Sequence, residues 1–182
     1  MSHAMLHSWP SLITTTMMLA SGIVLLLAAW HDIVSRTVPN WMPAAIAGFG
    51  IVAAFTADRL PISLGCGLTI FIAAAVCWRR GWMGGADVKL LGAIAIVVPP
   101  SMVTMFAIAM SYAGAVHAIA YMLARRVVKP PPPLVTDRPR AMPLLPRALR
   151  AERWRISRGG PLPYACAIAF GFLFVILNGG AP

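Results

Sequence analysis

Residues 12–30 carry no charge, and five further apolar runs follow along the 182-residue chain. No other feature limits the fold so strongly. Inside a bilayer, backbone N–H and C=O groups have no water to bond. A long apolar segment must therefore satisfy them internally, as a helix. At 1.5 Å per residue, 19 residues reach about 28 Å, close to the thickness of the hydrocarbon core. The rest of the composition agrees: 59% of residues are hydrophobic and 11% charged, with a mean hydropathy of +0.79. Such a chain is not an ordinary soluble domain. The expected architecture is all-α: a single integral membrane domain over 1–182, a polytopic bundle of about six transmembrane helices.

Residues 1–11 contain no Lys or Arg, which argues against a cleaved signal peptide, so the first run is expected to be retained. It ends at His31-Asp32. A polar break follows through Arg36 and Val38-Pro39-Asn40, where Pro39 disfavours helix at Val38. A second span is expected over 41–57. Asp58-Arg59-Leu60-Pro61 reads as a tight turn, and a third span covers 62–78. Gly65 and Gly67, like Gly48 and Gly50 before them, suit close helix packing. The fourth apolar run, 88–98, has only 11 residues before Pro99-Pro100. It is too short to cross as a regular helix, and needs snorkelling by Lys89, local thinning or a buried position. A fifth span runs over 101–124, in which His117 reads as a packing residue. Segment 125–160 holds ten of the 15 basic residues and the Pro130 to Pro133 run, and reads as a stiff exposed connection. Its second half, 144–156, interleaves Leu145, Leu149, Trp154 and Ile156 with arginines. Either an interfacial helix on an anionic membrane surface or a solvated basic loop accounts for that pattern. A sixth span, 164–177, follows. Cys66, Cys77 and Cys166 lie in apolar surroundings without metal-ligand spacing and read as packing residues.

Charge sets the orientation. Fourteen of the 15 basic residues fall on the first, third and fifth connections or at the start of the fourth span, with Arg59 alone on the other side. The positive-inside rule places those connections in the cytoplasm and both termini on the periplasmic side. The acids are only Asp32, Asp58, Asp87, Asp137 and Glu152. Asp32 closes the first span and Asp87 opens the fourth, so both are expected at the cytoplasmic face. Asp87 by itself has two readings, a helix cap or a functional carboxylate at a membrane helix mouth. Two carboxylates in one partly desolvated place cannot both ionise easily. One keeps a proton while the other can act as a base on water, which is aspartyl-protease chemistry. A Ser–His–Asp set, an HExxH and a P-loop are all missing from the sequence. A proton relay in a small transporter is the competing use of the same pair.

Three segments resemble the signature of type IV prepilin peptidases, the GxGD-type membrane aspartyl proteases. They are Asp32 with Arg36 and Val38-Pro39-Asn40; Gly84-Gly85-Ala86-Asp87-Val88-Lys89-Leu90-Leu91; and Pro163-Tyr164-Ala165-Cys166-Ala167-Ile168-Ala169. The resemblance runs in order and spacing from about residue 12 to 171. It implies that Asp32 and Asp87 are the catalytic pair and that Arg36, Gly84, Gly85, Lys89, Pro163 and Tyr164 contact substrate. It further implies removal of prepilin leader peptides at the cytoplasmic face of the bacterial inner membrane. Ala86 stands where the signature usually has its second Gly. The cysteine-rich, N-methylating region of longer members is missing, so the chain is similar to the short, peptidase-only branch associated with tight-adherence (Flp-type) pili. The expected partners are a prepilin and the lipid bilayer; no cofactor, metal or nucleic acid is expected. A pilus-assembly component without catalysis is the remaining alternative.

Overall fold

A computed structural model describes residues 3–131, 144–158 and 162–178. The described residues form helices α1 (His3–Ser35), α2 (Trp41–Thr56), α3 (Leu60–Arg79), α4 (Gly85–Val97), α5 (Val103–Val127), α6 (Leu144–Arg158) and α7 (Ala165–Asn178), with a 3-10 turn at Pro100–Met102 before α5. The result is an all-helical membrane bundle. Three helical stretches, Trp9–Ser35, Leu60–Arg79 and Pro100–Val127, are long and apolar enough to cross a bilayer, and α2 and α7 are shorter apolar helices.

The first helix runs past the apolar segment to Ser35 and so carries His31 and Asp32 in its last turns. It stops where Arg36 takes a left-handed backbone, φ 57°, with its amide donating to the Asp32 carbonyl at 2.8 Å. Glycine or asparagine usually fills that stop, and an arginine there costs roughly 1 kcal/mol.

The short α4 survives because it is buried. Val88, Leu90, Leu91, Ala93, Ile94, Ala95 and Val97 are all inaccessible or nearly so, with α2 on one side and α3 on the other. Neither thinning nor snorkelling is needed for a helix that other helices enclose. Glycines set the approach. A methyl at Gly50 would lie 3.0 Å from the Val97 amide, one at Gly67 would strike the Ile96 side chain and lie 3.2 Å from the Gly92 carbonyl, and one at Gly92 would meet Phe71 at 3.0 Å. Gly48 and Gly65 differ from expectation: among the described residues, nothing lies within 4 Å of where their Cβ would be. They face outward, each two residues along the helix from a packing glycine.

The buried C-terminal end of α4 needs partners for its last carbonyls. Arg59 provides them, donating to the Val97 carbonyl at 3.0 Å and the Val98 carbonyl at 3.5 Å while also reaching Ser63 Oγ at 2.8 Å. On the other side of the bundle, α7 packs between α1 and α5. A methyl at Gly171 would lie 3.0 Å from the Met110 backbone, so α5 and α7 touch main chain to main chain. Helix α6 lies against α1 and α5. It turns Ala148 and Glu152 inward and leaves Leu149, Arg153 and Trp154 exposed. Pro132, Pro133, Thr136 and Asp137 of the basic segment lie outside the described residues.

Candidate active site

Asp32 sits in the last turn of α1, half-buried. The backbone amide of Ala165, the first residue of α7, hydrogen-bonds its carboxylate. A helix N-terminus offers free N–H groups and a positive dipole end to an anion, so the third signature segment meets the first here. Pro163 is fully buried beneath this entry.

Asp87 lies in the first turn of α4. Gly84 is the N-cap residue in extended conformation, and the Asp87 carboxylate folds back on the Gly84 amide. This is the reciprocal half of a capping box. A methyl on Gly84 would sit 3.0 Å from Asp87 Oδ2, so glycine leaves the carboxylate room to turn. Gly85 lies against the Trp78 indole, 3.4 Å from where its Cβ would be. Capping does not exhaust Asp87, since the charge of Asp32 bears on it across the bundle. Asp87 thus caps α4 and feels the charge of Asp32 in one conformation.

Tyr164 stands beside the pair. Its ring covers Gly114 of α5, with the hydroxyl 3.3 Å from where a Cβ would be. The Asp87 charge reaches its hydroxyl. Lys89 points elsewhere, as its spacing from Asp87 requires. Its Nζ donates to Asn40 Oδ1 at 2.8 Å, which ties the first signature segment to the second. Both residues stand at a largely apolar groove of about 610 Å³ between α2 and α3, with Gly92 of α4 among its lining residues.

Arg36 is the cation whose field reaches both carboxylates. Its Nη2 donates to Glu152 at 3.0 and 3.4 Å, and among the described residues its buried Nε has no acceptor. Glu152 also takes Arg155 Nη1 at 3.0 Å and the Tyr121 hydroxyl, and Arg155 reaches on to the Ile33 carbonyl at 3.2 Å. Reading the chain in order did not find this cluster. The available signal was that Glu152 is one of only two acids in the basic segment.

The structure thus brings Asp32, Asp87, Arg36, Gly84 and Tyr164 to one end of the bundle, with Ala165 in place of Pro163 as the contact from the third segment. Lys89 and Gly85 stand aside, on Asn40 and Trp78. Among the described residues no three His, Cys, Asp or Glu side chains converge as a metal site. Asp58 lies on the turn after α2, at the opposite end of α4, beside Arg59.

No curated protein and no solved structure matches the chain. The model of the type IV leader peptidase family matches residues 19–119, which takes in Asp32, Arg36 and the whole Gly84 to Leu91 segment. With more than half of its length matched, and with a membrane helix bundle holding those segments at one end, the chain belongs to the type IV leader peptidase family and is a membrane protease.

Proposed function

We propose that the chain is an aspartic-type endopeptidase, with Asp32 and Asp87 as the reacting pair. It removes the leader of Flp-like type IV prepilins at the cytoplasmic face of the bacterial inner membrane, which it crosses several times. What supports this reading is that Asp32 and Asp87, 55 residues apart on the ends of two different helices, lie near enough for the charge of one to act on the other. In a water-poor setting one of the two holds a proton. The ionised partner takes a proton from water as the water oxygen bonds to the scissile carbonyl carbon. The protonated partner donates to the carbonyl oxygen as it becomes an oxyanion. Collapse breaks the C–N bond, and a proton from the pair leaves with the amine. The basic connections support the cytoplasmic placement.

The test is co-expression with candidate prepilins, with leader removal read by mass spectrometry. Asp32→Asn and Asp87→Asn should each abolish cleavage while the protein still accumulates in the membrane. The double variant should be no worse, since residues that act as a unit are not additive. Asp58→Asn should cleave normally; Asn tolerates the left-handed backbone found there, φ 50°. Substantial cleavage by either Asn variant at 32 or 87 would remove the dyad. Proton-coupled flux in liposomes without cleavage would favour the transporter.

A further inference from the structure

Arg36 raises a difficulty for an acid pair. A guanidinium that acts on both carboxylates favours ionising both, and a doubly ionised pair has no acid left to protonate the leaving group. Arg155 adds a second positive charge felt at Asp32. Both arginines are bonded to the same carboxylate: Glu152 takes Arg36 at 3.0 Å and Arg155 at 3.0 Å, with its side chain only 15% exposed. Tyr121 of α5 donates to it as well. Arg36 belongs to the end of α1 and Glu152 to α6, 116 residues away, so the tether exists only when α6 is docked. The other groups facing this cluster are Asp32 from α1, His117 from α5 and Cys166 from α7.

We propose that Glu152 is a positioning residue of the peptidase reaction: it holds Arg36 beside Asp32 and Asp87 and cancels enough positive charge for the pair to retain one proton at working pH. This rests on the dyad reading above. Glu152 acts through Arg36, to which it is bonded at 3.0 Å. The left-handed backbone at Arg36 fits the same role, because local strain of that kind persists where the surrounding structure over-determines it.

The experiment is the pH dependence of kcat/KM for leader cleavage by the purified full chain in liposomes, using a prepilin peptide. Glu152→Gln keeps size and one acceptor but removes the charge. Its bell-shaped profile should move to lower pH by roughly half to one unit. Glu152→Asp keeps the charge and shortens the reach, so its profile should stay in place while kcat falls about tenfold. Arg36→Gln should move the profile the other way. A merely structural Glu152 predicts uniform loss in the Gln variant with no displacement of the bell, and that result overturns the proposal. If Glu152→Gln does not accumulate, the other two variants decide: an unmoved bell in Glu152→Asp with a shift to higher pH in Arg36→Gln supports the proposal, and no shift in Arg36→Gln overturns it. A wild-type chain that cleaves nothing, or Asn variants at 32 or 87 that still cleave, removes the dyad reading itself. An unshifted Gln profile in an enzyme that does need both aspartates removes only the role of Glu152.

Discussion

The Arg59 guanidinium donates to the Val97 carbonyl at 3.0 Å, closing the far end of the helix whose first turn carries Asp87. A 13-residue helix enclosed by others has no water for its last carbonyls, so an unmet acceptor there costs about 1–3 kcal/mol. Arg59→Met should lower the thermal midpoint of the detergent-solubilised protein by several degrees. Unchanged melting would show that the carbonyls have another partner.

The glycines separate into two groups with opposite expectations. Gly171→Ala places a methyl 3.0 Å from the Met110 backbone, where neither helix can yield without parting. A loss of roughly 1–3 kcal/mol is expected. Gly48→Ala and Gly65→Ala meet open space and should be neutral or stabilising by up to about 1 kcal/mol, since alanine is the better helix former. Unfolding in a denaturant series reads both, and equal effects at 65 and 171 would contradict the packing.

Lys89 is held by Asn40 at 2.8 Å and faces the groove rather than Asp87. Lys89→Arg should keep most cleavage. Lys89→Met should raise KM more than it lowers kcat, as expected where ground-state binding alone is removed. Complete loss in the Arg variant would instead assign the amine to the chemistry.

Acid should loosen α6. Burial opposes the charge on Glu152, but the hydrogen bonds from Tyr121 and Arg155, with Arg36, outweigh it and hold its carboxyl below the usual 4.5. The folded state therefore binds fewer protons than the unfolded chain. The contribution is complete above the unfolded pKa and fades as the pH falls through the lower folded value. The thermal midpoint of the wild type should exceed that of Glu152→Gln at pH 7, and the gap should close as the pH falls below the usual carboxylate value and through the lower folded one. A gap that persists in acid would mean the carboxylate charge is not what docks the helix.

If the basic connections face the cytoplasm, a cysteine at exposed Arg80 in a cysteine-free variant should resist a membrane-impermeant thiol reagent on intact spheroplasts. One at Asp58 should label. The reverse pattern would turn the bundle over and remove the proposed cytoplasmic-face mechanism.

The apolar helices could be read from the chain, whereas the pattern over 144–156 left helix and loop open where α6 forms. Uninterrupted apolar runs leave the backbone no alternative in lipid, and Pro39, Pro99 and Pro100 mark breaks between them. The two aspartates stood out because so few acids are present, and the positions of Asp32 and Asp87 at helix ends followed from the run boundaries. What could not be read was which face meets which. Lipid is as apolar as a helix interior, so nothing in the pattern separates the buried Gly67 from the open Gly65, or shows that α4 is enclosed. The partners of charged groups were hidden for the same reason. Whether Arg59 ends on Val97, Lys89 on Asn40, or Glu152 on Arg36 depends on how whole helices are placed beside one another. Sequence alone determined that this chain is a membrane helix bundle with two acids near helix ends. Only the tertiary structure decided that the charge of one acid reaches the other, and that a glutamate from the basic segment bonds the arginine whose field reaches both, because such relationships join residues whose separation along the chain carries no local signal.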